Sequence, residues 1–103
     1  MASALLAGAS FNASATMDPY VEEALIDICK TTISNKPIRL LTTVKSYRLT
    51  EKTIAEKLIC NGDSVIDFAE KHNAFKTANR LKRRLGKVTI TDIAAVDKWS
   101  VNF

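Results

Sequence analysis

Through most of the chain, apolar positions recur at steps of three and four residues, and that period predicts helices. The first begins at Asp18-Pro19. Asp18 caps free backbone N–H groups, and Pro19 suits the first helical position because its missing N–H would be unpaired anyway. Val21, Ala24 or Leu25, Ile28 and Thr32 or Ile33 form one apolar face. Glu22 and Glu23 lie where the helix dipole favours negative charge. The helix is expected to run to about Ser34, ahead of the Asn35-Lys36-Pro37 break.

Ile38 to Tyr47 fits two templates. Leu40, Leu41, Val44 and Tyr47 make a helical face, whereas Thr42, Thr43 and Val44 are β-branched and favour a strand. Pro37 at a first-turn position decides for a helix. Thr50 caps the next helix, EKTIAEKLIC, with Ile54, Leu58 and Ala55, Ile59 as adjacent apolar rows. Asn61-Gly62 is expected to end it, glycine taking the left-handed conformation. Ser64 and Asp67 then form a capping-box-like pair opening a helix near 65–72, which buries Val65, Phe68 and Ala69.

The sharpest pattern is AFKTANRLKRRLGK, residues 74–87. At 100° per residue, Ala74, Ala78, Leu81 and Leu85 share one stripe. Lys76, Arg80, Arg83 and Lys87 gather on the opposite side, with Arg84 on the flank. Gly86 closes the helix, and the cationic last turn suits the negative end of the dipole. Beyond it, residues 87–90 alternate as a short extended segment or linker would. Thr91 or Asp92 caps a last short helix with Ile93, Val96 and Trp99 on one side, and Trp99, Val101 and Phe103 predict a docked C-terminus. Residues 1–17 read as a flexible tail, with Met17 a second candidate start. The expected fold is therefore all-α: a compact bundle of about five or six short helices over residues 18–103 after that tail.

Charge changes this picture in one respect. The net +4 resides in residues 64–103, which hold four acids and eight bases, and six of those bases fall between Lys76 and Lys87 with no acid among them. Solvated helices usually alternate signs, so a face of one sign suggests an anionic partner. A twelve-residue helix is about 18 Å long, enough to cross a groove or follow a stretch of phosphate backbone. Lys76, Arg80, Arg83, Arg84 and Lys87 are the candidate nucleic-acid-binding residues. They suit contact with backbone more than base readout, which favours RNA shape recognition somewhat over DNA. Lys82-Arg83-Arg84 also has the character of a nuclear import signal.

The other candidates are weaker. The Asn61-Gly62-Asp63 turn between two short helices is like a helix-turn-helix, but Val65, Ile66, Asp67, Phe68 and Glu70 are not major-groove readers, so an ordinary helical hairpin is expected. His72 stands without a recognisable nucleophile or ligand set, and Glu22-Glu23 point about 100° apart on a helix. No catalytic frame, metal site or cofactor loop is legible, so a non-enzymatic protein is expected. Cys29 and Cys60 read as two buried reduced thiols; a disulfide between them would require an oxidising compartment. No stretch has the apolar length of a membrane span. Residues 1–17 carry no Lys or Arg, and Ala4 to Ala7 is too short for a secretory core, so a cytoplasmic, or by diffusion nuclear, protein is expected. The Asn12-Ala13-Ser14 sequon then reads as chance. The functional expectation is a small nucleic-acid-binding protein. The alternative is a helical interaction module or homodimeric accessory protein, of viral or host-regulatory type, whose basic helix meets an acidic partner. Tyr47, Trp99 and Phe103 are the residues that a second copy could cover.

Overall fold

A computed structural model describes residues 18–86 and 97–103. Five helices and three strands lie among them: α1 (Pro19–Thr32), α2 (Pro37–Ser46), α3 (Glu51–Lys57), β1 (Leu58–Cys60), β2 (Asp63–Ser64), α4 (Val65–Lys71), α5 (Phe75–Leu85) and β3 (Trp99–Val101). The protein is thus mixed α/β, and the all-α expectation is overturned by a three-stranded sheet of order β2-β1-β3. The expected tail, the 87–90 extended segment and the start of the last helix fall outside the described residues.

The helices start where side chains satisfy the first free N–H groups. Asp18 accepts from the Tyr20 amide at 2.8 Å, Thr50 from Thr53 at 3.2 Å and Ser64 from Asp67 at 3.2 Å. In the ambiguous 38–47 stretch the helix prevails. Pro37 opens it, Leu40 and Val44 are fully buried, and Thr42 turns its hydroxyl back to the Ile38 carbonyl at 3.0 Å.

The helix expected to run from Thr50 to Asn61 stops at Lys57, and its last apolar residues form β1 instead. The reason lies in Asn61-Gly62. Both residues hold positive φ, 50° and 89°, as the turn of a two-residue hairpin demands. The pair therefore reverses the chain and does not cap a helix. Ile59 pairs with Ser64 and Cys60 with Asp63 across the antiparallel hairpin. On its other side β1 pairs in parallel with β3, Leu58 opposite Trp99 and Cys60 opposite Val101. A parallel pair needs a long crossover, which here holds α4 and α5. Trp99 accordingly stands on a strand, not on a helix as expected. The C-terminus is docked: Val101 is buried, its carbonyl accepts from the Asn61 amide at 2.9 Å, and the Asn61 side chain accepts from the Phe103 amide at 2.8 Å.

One core unites these parts, with Leu25 and Ile28 of α1, Leu40 and Val44 of α2, Ile54 of α3, Leu58 of β1 and Leu81 of α5 packed together. Through its centre runs a Cys29–Cys60 disulfide that ties α1 to β1, with both cysteines wholly buried. The reduced-thiol expectation is corrected here. Both cysteines are as buried as expected, but each fills the position next to the other, at a Cα separation of 6.0 Å. The 31-residue sequence separation closes a loop whose entropy the bond removes from the unfolded chain. Replacing both cysteines by serine is expected to lower unfolding free energy by about 3–4 kcal/mol. Urea denaturation measures this, and a loss below about 1 kcal/mol would show that the bond adds little to the fold.

Candidate anion-binding site

Helix α5 is placed by its buried stripe and by a dock at its N-terminal end. Thr77, Ala78 and Leu81 are fully buried. The Thr77 hydroxyl lies 2.6 Å from the Thr32 carbonyl at the end of α1, which also accepts from the Asn35 amide at 3.4 Å. The Asn35 side chain accepts from the Lys76 amide at 2.8 Å, which supplies the start of α5 with the cap that Ala74 cannot give. Two helix ends thus satisfy each other. Gly86, at φ 71°, ends α5, its N–H reaching the Lys82 carbonyl.

The basic face is divided by what flanks it. On one side Arg80 makes two hydrogen bonds to Glu51, Nε to Oε2 at 2.7 Å and a terminal nitrogen to Oε1 at 3.0 Å. The Glu51 side chain is 5% exposed and that of Arg80 is 17% exposed. The geometry is the two-pronged fit of guanidinium on carboxylate. The hydrogen bond to Glu51 raises the Arg80 pKa above its ordinary value, while burial opposes it, so the guanidinium stays charged. Arg84 adds its Nε 3.4 Å from the same carboxylate and keeps half its side chain in water. On the other flank Lys82 pairs with Glu70 of α4. Between the flanks Lys76, Asn79 and Arg83 face solvent.

Beside Arg80 and Arg84 the start of α3 and the end of α2 enclose a cleft of about 330 Å³. Leu41, Val44 and Leu49 form its apolar side, and Lys45, Lys52, Arg80 and Arg84 line it together with Glu51. Four cations thus share the cleft with one carboxylate, and two of them contact it. Glu51 spends its charge on Arg80 and Arg84, while Lys45 and Lys52 are exposed and have no ion-pair partner among the described residues. An anion entering the cleft would meet ammonium groups on two elements, with the terminal Arg84 nitrogens beside them.

The expected site residues therefore separate. Lys76 and Arg83 lie on the open face, Arg84 lines the cleft, and Lys87 falls outside the described residues. Arg80 is engaged in a largely buried ion pair that holds α3 against α5. Lys45, Lys52 and Glu51 escaped the sequence reading because they belong to other elements. A hint was present at Glu51, an acid at the first position of a capped helix, which reads from sequence as dipole pairing alone. His72 ends α4 with Nδ1 2.9 Å from the Phe68 carbonyl and its ring against Phe68, a helix-end arrangement. The Tyr47 hydroxyl donates to Asp27 at 2.9 Å, and that bond raises the tyrosine pKa. Lys57 lies 4.8 Å over the Trp99 ring, and Phe103 stands edge-on to Phe68.

Fold and site together define a small disulfide-bonded α/β domain with a cation-lined cleft. The family profile described as "Protein of unknown function (DUF3718)" matches residues 28–95, more than half of the chain, and the chain belongs to that family. The match takes in both cysteines, the cleft and α5. No curated protein and no solved structure matches the chain.

The two arginines of α5 are expected to behave oppositely. Arg80→Ala leaves the buried Glu51 charge short of its main partner and is expected to cost about 3 kcal/mol of stability. Arg83→Ala, on the open face, should stay within about 0.5 kcal/mol of the parent. Thermal and urea unfolding of the two variants checks the contrast.

Proposed function

We propose that the domain is a non-enzymatic binding module whose cleft takes acidic groups of a macromolecular partner. The observation that carries this reading is the cleft's composition: Lys45, Lys52, Arg80 and Arg84 line it, against the single carboxylate of Glu51. The Arg80–Glu51 pair forms a fixed wall of the cleft, while Lys45 and Lys52 are exposed and lose side-chain freedom when they bind. Attraction of this kind is long-ranged and weakens with salt.

Between the two expected partners, an acidic protein surface fits better than nucleic acid. The Cys29–Cys60 disulfide supports an oxidising compartment as the working place, in place of the cytoplasm or nucleus. Binding of a phosphate backbone is the second reading. Lys76 and Arg83 favour it, because they lie on one open face of α5, about 10 Å apart along the axis at 1.5 Å per residue. Arg80 is not a ligand in either reading.

The test uses purified, oxidised protein with a fluorescent polyglutamate peptide and an RNA duplex of similar length, at two salt concentrations. Lys45→Glu with Lys52→Glu is expected to weaken peptide binding about tenfold or more, with little change in unfolding temperature. Lys76→Glu with Arg83→Glu should leave peptide binding within about twofold. If the peptide does not bind even at low salt, the proposal fails. If RNA binds strongly and only the Lys76/Arg83 pair weakens it, the second reading replaces the first.

A further inference from the structure

A disulfide whose two cysteines are wholly buried between α1 and β1 is not an exchangeable surface bond; it is part of the core. Such a bond forms where an oxidant is at hand, outside a reducing cytosol. Its formation removes two protons and two electrons from the Cys29 and Cys60 thiols, and a disulfide-bearing thiol oxidant of the receiving compartment is reduced in exchange. A chain that folds this way has to be exported before its core closes, and export leaves a mark in sequence.

Residues 2–15, ASALLAGASFNASA, carry that mark. They contain no charged side chain, Ala4 to Phe11 is an apolar and small-residue stretch with Leu5, Leu6 and Phe11 in it, and Ala13-Ser14-Ala15 follows. Small residues at the first and third positions of such a triplet are what a leader peptidase accepts, because its pockets beside the scissile bond admit only small side chains. The stretch matches the rear half of a secretory leader, its apolar part and its cleavage motif. The basic front half is not within residues 1–17.

Position supports the same cut. The domain begins at Asp18, whose side chain caps α1 through the Tyr20 amide. Cleavage after Ala15 leaves Thr16 and Met17 ahead of that cap, so none of the described fold is lost. We infer that the peptide bond between Ala15 and Thr16 is a leader-peptidase site and that the mature protein is an exported, disulfide-bonded domain starting at Thr16. In the cleavage, water adds across the amide: Ala15 gains a carboxylate and Thr16 a free ammonium.

The protein is immunoprecipitated from the cells that encode it, alkylated without reduction, and its intact mass and N-terminal sequence are read. The expected result is an N-terminus at Thr16 and no alkylation of Cys29 or Cys60. Ala13→Asp with Ala15→Asp, which precede the described residues, should yield the uncleaved chain and no Thr16 species. An N-terminus at Met1, at Met17 or upstream, or two alkylated thiols, overturns the inference. This readout does not depend on whether the cleft binds an acidic partner.

Discussion

Much of this domain depends on where one carboxylate is allowed to be. Glu51 begins α3, is almost without solvent, and is tolerable there only because Arg80 meets it with two hydrogen bonds and Arg84 stands close by. A buried pair of this kind is weak evidence of net stability, since two charges must leave water to form it. It is strong evidence of geometry. It joins α3 to α5, and it decides which cations of α5 are spent and which remain. The cleft exists beside that pair because α2, the α2–α3 connection and α5 converge there.

The disulfide plays the corresponding part within the core. It links α1 to β1, and β1 is the strand that both other strands pair with. In a chain of 103 residues the core is small, and a covalent tie between its first helix and its central strand offsets that limit. Cys60 pairs with Asp63 across the hairpin and with Val101 of β3, and Asn61 beside it bonds the Phe103 amide. The central strand of the sheet thus contributes Leu58 and Cys60 to the core.

Much of the helical content was legible. Asp18, Thr50 and Ser64 are caps in sequence and in structure, because a cap is a local interaction within three residues. The buried faces of α1 and α5 follow from period in the main, but Val21, expected on the apolar face, is exposed, and Thr77, outside the expected stripe, is fully buried. The sheet was not legible, because Leu58-Ile59-Cys60 has the same apolar character in a helix or a strand. What decides is the pairing with Trp99 to Val101, some forty residues away. Asn-Gly was read as a helix stop although it is also the strongest hairpin signal. The basic helix was legible as a charge pattern, but a helical wheel cannot say which cation meets an acid from another element. Arg80 was therefore counted as exposed, while Lys45 and Lys52 passed unnoticed. The thiol reading failed for a similar reason: burial was visible at each cysteine, proximity was not.

The central claim is that the Lys45, Lys52 and Arg84 cleft, and not the open face of α5, receives the acidic partner. The most direct measurement is a nuclear magnetic resonance titration of isotope-labelled, oxidised protein with a polyglutamate peptide at low salt. Shifts of the Lys45 and Lys52 amides and of the Arg84 side-chain N–H, with Lys76 and Arg83 little changed, are the predicted result. Shifts confined to Lys76, Asn79 and Arg83, or no shifts at all, would contradict it.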